Sequence, residues 1–211
     1  MYKPSMRDIL ARIPVMPIMT IQDASRAGDL ARALVDGGIT AFEVVLRTPA
    51  SLQAIEAMAA AAPEAAVGAG TLLNAQQVRQ ALDAGAAFGV SPGLTPALGA
   101  AVRDAKLPFL PGVATAGEVM QALEYGFTEL KYFPAQGEQG VAWLKSLADV
   151  FPQVAFCPTG GIRPPHIPAY LALPNCKTVG GSWMVPADLL ESKDWPAITA
   201  LARQAAAMRG A

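Results

Sequence analysis

The chain is poor in the residues that build metal sites and disulfide frameworks. Its 211 residues include only two cysteines, Cys157 and Cys176, and one histidine, His166. The cysteines form no CxxC pair and His166 has no second histidine to join it, so a zinc site is excluded and a disulfide framework is not expected. Charge is sparse too. Sixteen basic against 17 acidic residues leave a net charge of -1, with charged residues making up 16% of the chain. That balance gives neither the basic footprint of a nucleic-acid binder nor the polybasic patch of a membrane-surface protein, and leaves a small molecule as the expected partner. No apolar run reaches the length of a membrane span. Residues 1–12 mix Lys3, Arg7, Asp8 and Arg12 with a few apolar residues, which is not a signal peptide, so the expectation is a cytoplasmic protein. No GxGxxG opens the first helical stretch, which removes the usual mark of a doubly wound dinucleotide-binding sheet.

What the chain does have is apolar mass, 53% of its residues, and a positive mean hydropathy, enough to bury a large core as one domain over residues 1–211. Apolar runs of strand length alternate with alanine-rich helical stretches. A short amphipathic helix over 5–11 leads into the run 14–19, which holds two prolines and would be demoted as a central strand but for the unit that follows. There Asp23 caps a helical pattern that reaches Val35 and stops at Gly37-Gly38. Further units follow: strand 39–45 with helix 49–61, and strand 65–69 with a helix over 75–84 capped by Asn74 and ended by Gly85. Strand 87–90 then precedes helix 95–105, strand 108–110 precedes helix 115–125, and Gly126 ends that helix. Strand 127–134 precedes a helix around 141–150, strand 154–157 a short helical piece near 165–171, and strand 176–179 two closing helices near 186–190 and 196–208. This alternation predicts parallel βαβ units, eight of them, in an α/β chain: a (β/α)8 TIM barrel, single domain, with a short N-terminal helix.

In such a barrel the chemistry sits at the carboxyl ends of the strands. The run Phe127-Thr-Glu-Leu-Lys131-Tyr-Phe133-Pro134 places a lysine inside a strand that should be buried on both faces, where lysine needs a reason to be. Two readings stand: an ion pair with Glu129, which shares its face, or a desolvated amine acting as nucleophile toward a carbonyl carbon to form a Schiff base. Strand two carries Glu43, Val45 and Arg47 on one face. Glu43 would be a proton shuttle and Arg47 a bidentate carboxylate clamp, unless they pair with each other or with Lys131. Strand three ends Gly68-Ala-Gly70-Thr71, small residues with a hydroxyl at the tip. The loops after strands seven and eight, Cys157-Pro-Thr159-Gly160-Gly161 and Gly180-Gly181-Ser182, offer glycine amides where phosphate-binding barrels hold phosphate, or are simply tight turns. Cys157 is expected as buried core and His166 as a surface loop residue. A phosphate-binding isomerase or epimerase using Glu43 as base, or a binding protein without turnover, remains a reading of the same residues.

Phe42-Glu43-Val-Val-Leu-Arg47-Thr48, Gly68-Ala-Gly-Thr71-Leu-Leu-Asn74, Ser91-Pro-Gly-Leu-Thr95, Leu130-Lys131-Tyr-Phe-Pro134, Cys157-Pro-Thr-Gly-Gly161 and Gly180-Gly-Ser-Trp183, taken in order over almost the whole chain, resemble the 2-keto-3-deoxy-6-phosphogluconate (KDPG) and 4-hydroxy-2-oxoglutarate aldolases. The resemblance implies a class I aldolase, a lyase of the Entner-Doudoroff pathway that needs no metal and no cofactor and assembles as a homotrimer. It makes Lys131 the Schiff-base lysine and Glu43 the acid/base. Arg47, Thr71 and Thr159 would hold the pyruvyl carboxylate, with Pro92 and Phe133 packed beside it, and Gly160, Gly161, Gly181 and Ser182 would hold the phosphate. The chain departs from the family at Tyr132, often Phe there, and in the segment Gln136-Gly-Glu138-Gln. A short barrel with so little surface charge is expected to associate, and Phe88 and Phe109 at strand ends would either extend toward a neighbouring subunit or fill the barrel.

Overall fold

The computed structural model describes residues 4–135 and 137–208. Helix α1 (Met6–Leu10), held by a reciprocal Ser5–Asp8 capping box, precedes β1 (Val15–Met19). Asp23 caps a 3-10 turn, Ala24–Arg26, which runs into α2 (Ala27–Asp36). Then come β2 (Ala41–Val45), α3 (Ser51–Ala61), β3 (Ala66–Gly70) and α4 (Ala75–Asp83), whose N-terminus is capped by Asn74 accepting from the Gln77 amide. β4 (Phe88–Val90), α5 (Pro96–Ala105), β5 (Phe109–Leu110), β6 (Gly112–Val113) and α6 (Ala116–Glu124) follow. Gly126, with φ of 83°, turns the chain out of α6 into β7 (Glu129–Tyr132). α7 (Gly137–Leu147), β8 (Ala155–Pro158), a 3-10 turn at Pro164–His166, α8 (Ile167–Leu171), β9 (Val179–Gly181), α9 (Ala187–Ser192) and α10 (Trp195–Ala206) complete it.

The strands are parallel throughout and form a six-stranded sheet, β5-β4-β3-β2-β1-β9, and a three-stranded one, β6-β7-β8. Where the sequence predicts one fifth strand, Pro111 divides it into β5 and β6. Proline has no N–H to give the ladder, but its carbonyl still accepts from the Lys131 amide at 2.9 Å. β5 therefore pairs back to β4, while β6 pairs forward to β7. The last strand starts later than the sequence suggests, at Val179. Cys176 meets β8 only through an isolated bridge to Phe156, and Gly180 bridges Thr159 in the same way. β1 is central despite Pro17: it pairs with β9 through Val15–Pro17 and with β2 from Ile18 on, so the missing N–H falls where the ladder changes side.

β2 and β3 are buried at every position, as parallel strands covered on both faces must be. One contiguous apolar cluster runs from Met6 in α1 to Ala205 in α10. Phe88 and Phe109 belong to it. The ring of Phe88 fills the space left by Gly68, and Phe109 packs on Phe127 with centroids 5.8 Å apart. Both fill the core rather than reach outward, and each is worth about 1.5–3 kcal/mol buried where it is. No described helix is long and apolar enough to cross a membrane.

Candidate active site

Lys131 lies in the middle of β7 and is 7% exposed. Glu129 shares its face but does not pair with it. Glu129 sits at the amino end of the strand, where Arg7 Nε meets its Oε1 at 2.7 Å and the Thr128 hydroxyl donates to its Oε2 at 3.0 Å. The charge facing Lys131 is Glu43, brought from β2 in the other sheet. Nζ and Oε1 stand 3.8 Å apart, close enough for attraction but too far for a hydrogen bond. Glu43 is 2% exposed and its Oε1 has no hydrogen-bond partner among the described residues. Burial pushes its carboxyl above the ordinary 4.5, and the charges of Lys131 and Arg47 pull it back only in part. The site thus holds a carboxylate that binds a proton readily beside an amine with little solvent around it.

The other sequence-derived candidates gather around this pair to different degrees. Arg47, in the loop after β2, is exposed; its side chain has no hydrogen bond or ion pair among the described residues, yet its charge reaches Glu43. Thr71, just past β3, has φ of 61°, a left-handed conformation that is an outlier for a β-branched residue. The Phe133 ring centroid lies 5.3 Å from Lys131 Nζ, and the peptide from Phe133 to Pro134 is cis. Pro92 is exposed at the rim, its carbonyl lying over Gly112, the register partner of Lys131. Thr159 is buried; its amide donates to Tyr132 O at 2.9 Å and its hydroxyl to Cys157 O at 3.3 Å.

The bridge from Thr159 to Gly180 sets the two glycine-rich loops side by side. Gly160 and Gly161 have φ of 99° and 73°, conformations that need glycine. The amides of Gly160, Gly161 and Ser182 have no acceptor among the described residues. Gly181 ends β9 and Ser182 is exposed beside it. The paired loops therefore present free donors at the same end of the strands as Lys131.

The sequence predicts Cys157 as core. It is buried, but it is also the register partner of Lys131 on β8, and its sulfur lies 4.0 Å from the Thr159 hydroxyl. Burial pushes its thiol up to about 12, so it stays a neutral thiol. Its period-2 relation to Thr159 was the available signal. Tyr132 points away from this cluster and stacks on Trp143 at 4.4 Å. Gln136 lies outside the described residues, as does the side chain of Glu138. His166 is half-buried in its 3-10 turn.

Fold and site define a class: a parallel α/β enzyme that collects a buried amine, a buried carboxylate and free backbone donors where its strands end. The family model of KDPG and KHG aldolases matches residues 6–201, and the chain belongs to that family. It is 47% identical over 204 residues to the KHG/KDPG aldolase of Escherichia coli K12, covering 97% of this chain and 96% of the relative. The crystal structure of the 2-keto-3-deoxy-6-phosphogluconate aldolase of Zymomonas mobilis ZM4 with 3-phosphoglycerate superposes with a TM-score of 0.92 at 47% identity, covering 100% of this chain and 99% of that one. The KDPG aldolase of Legionella pneumophila, with pyruvate captured as a covalent carbinolamine, gives 0.93 at 40% identity, covering 97% and 100%.

Proposed function

We propose that the protein is a class I aldolase that cleaves KDPG to pyruvate and D-glyceraldehyde 3-phosphate, and 4-hydroxy-2-oxoglutarate to pyruvate and glyoxylate. The observation that carries this is the buried Lys131–Glu43 pair, 3.8 Å apart across the two sheets. The Lys131 amine adds to the C2 ketone, and the carbinolamine loses water to give an iminium. Glu43 takes the proton of the C4 hydroxyl as the C3–C4 bond breaks, and the bond's electrons flow into the iminium to give an enamine. The aldehyde leaves, Glu43 returns the proton to C3, and water hydrolyses the iminium to free pyruvate and lysine. The step uses no metal and no cofactor. Arg47, Thr71 and Thr159 hold the carboxylate, Pro92 and Phe133 wall the pyruvyl group, and Gly160, Gly161, Gly181 and Ser182 bind the phosphate. The names of the E. coli relative and the pyruvate adduct of the Legionella enzyme support both the substrates and the covalent step.

The two sheets belong, on this proposal, to one eight-stranded barrel domain in which β5 and β6 are halves of one strand and the bridges at Cys176 and Gly180 join β8 to β9. The protein works in the cytoplasm as a homotrimer. Among the described residues, exposed Leu73, Met120 and Val150, rather than the buried Phe88 and Phe109, are the large apolar side chains left for association. Turnover is tested by coupling pyruvate release to lactate dehydrogenase with each substrate. Ser182→Asp, which sets a carboxylate against the phosphate, should raise KM for KDPG several-fold and largely spare 4-hydroxy-2-oxoglutarate, which has no phosphate. Equal losses on both would remove the phosphate assignment, and no pyruvate from either would remove the reaction.

A further inference from the structure

Glycines of neighbouring strands stand behind the groups of this site. At Gly70, on β3, an added Cβ would meet Glu43: it would lie 2.6 Å from the carboxyl carbon and 2.7 Å from Cγ, with Oε1 closer still. At Gly180, on β9, it would meet the hydroxyl of Thr159, with Thr159 Cγ2 at 3.1 Å and Ile18 Cδ1 at 2.8 Å. Gly68, on the same strand as Gly70, is different in kind, because the space above it is filled by the apolar ring of Phe88. So one strand carries two glycines, one making room for core and the next making room for a buried carboxylate.

We propose that Gly70 is a positioning residue for the reaction: its missing side chain is the seat that holds the Glu43 carboxylate 3.8 Å from Lys131, and Gly180 seats Thr159 in the same way. The inference rests on the assignment of Glu43 as proton carrier. Glu43 is buried and cannot swing into solvent to escape a new methyl group. Carbon contacts relax at about 3.5–4.0 Å, so a methyl at position 70 must push the carboxyl by about 1 Å. It can go toward Lys131, closing the gap into a tight ion pair, or away from it. Either way the proton no longer meets C3 of the enamine, and a misplacement of that size costs about 100-fold. The amine itself is untouched by the change.

The enamine step can be read without cleavage. Pyruvate bound as iminium loses a methyl proton to Glu43, the C–H electrons passing into the iminium, and regains a proton that has exchanged with solvent. In D2O this appears as loss of the pyruvate methyl signal by NMR, while borohydride reduction measures iminium formation at Lys131 separately. Gly70→Ala should still be trapped by pyruvate and borohydride but should exchange the methyl protons about 100-fold more slowly. Adding Glu43→Asp, which shortens the side chain by one methylene, should recover part of that exchange. Gly180→Ala should instead raise the pyruvate concentration for half-trapping several-fold. If the wild-type protein itself traps no pyruvate, the proposed reaction fails before the glycine is tested. If Gly70→Ala exchanges at the wild-type rate, or loses trapping and exchange in equal proportion, the seat is overturned. If Gly70→Ala does not fold, the double variant decides: recovery of a folded, exchanging protein supports the seat, and no recovery overturns it.

Discussion

The two ends of the strands treat their polar groups in opposite ways. At the amino end, Thr178 is buried but shares its hydroxyl between the carbonyls of Leu10 at 2.5 Å and Ile13 at 2.8 Å, and Glu129 is taken up by Arg7 and Thr128. A cavity of about 820 Å³ opens there, lined by Arg7, Glu129 and Lys177 among others, so open volume does not mark the chemistry. At the carboxyl end, Glu43 Oε1 is buried beside Lys131 without a hydrogen-bond partner among the described residues, Thr71 is strained, and three loop amides have no acceptor among those residues. A buried unpaired polar atom costs about 1–3 kcal/mol, more when charged. The amino end is not free of such atoms, since Asn175 Oδ1 is also buried without a hydrogen-bond partner among the described residues, but the carboxyl end gathers its unpaired groups around Lys131.

The largest effect that contrast predicts lies between two lysines. Lys131→Met should abolish pyruvate release while circular dichroism stays native. Lys177→Met, at the amino end, should stay within about 2-fold of wild type, as exposed substitutions usually do. Substantial turnover by the first variant, or collapse in the second, would break the comparison.

Glu43→Gln comes next and cuts both ways. Turnover should fall by about 100- to 10,000-fold, the range for a lost general acid/base. Stability should move in the other direction as pH rises. Because burial raises the folded-state pKa of Glu43 above 4.5, the folded protein holds a proton there that the unfolded chain releases. Its contribution is full below 4.5 and is lost as pH climbs through the raised value. Urea unfolding between pH 4.5 and 8 should therefore show the Gln variant gaining on wild type with rising pH; a constant difference would mean Glu43 is not held in that state.

Thr71→Gly is the smallest and the most diagnostic. Strain at a left-handed non-glycine residue is worth about 1–3 kcal/mol, against about 0.5–1 kcal/mol for the extra chain freedom of glycine. A net gain near 1 kcal/mol should raise Tm by about 2–4 °C for a chain of this size. Loss of the hydroxyl should lower kcat/KM by about 10-fold or more, as for one hydrogen bond to a charged group. A variant that is less stable and fully active would show the strain to be structural.

How much was legible follows from the range over which each feature is decided. Asn74, Asp23 and Gly126 mark helix ends through local hydrogen bonds and φ angles, so the sequence shows them directly. Lys131 was legible because a lysine in an apolar strand breaks the pattern around it. Pro111 sits inside an apolar run, and only the pairing of β6 with β7 shows the fifth strand divided there. The partner of Glu129 is 122 residues away in sequence, and no local rule joins them. The fate of Phe88 depended on Gly68 of the strand beside it, and the role of Cys157 on its register against Lys131. Both are facts of the sheet rather than of either segment.

The most direct test of the central claim is to incubate the protein with pyruvate and sodium borohydride, digest it and locate the adduct by mass. The account predicts one reduced pyruvyl group on Lys131, with Lys177 unmodified in the same sample. An unmodified Lys131, or an adduct shared among exposed lysines, would contradict it.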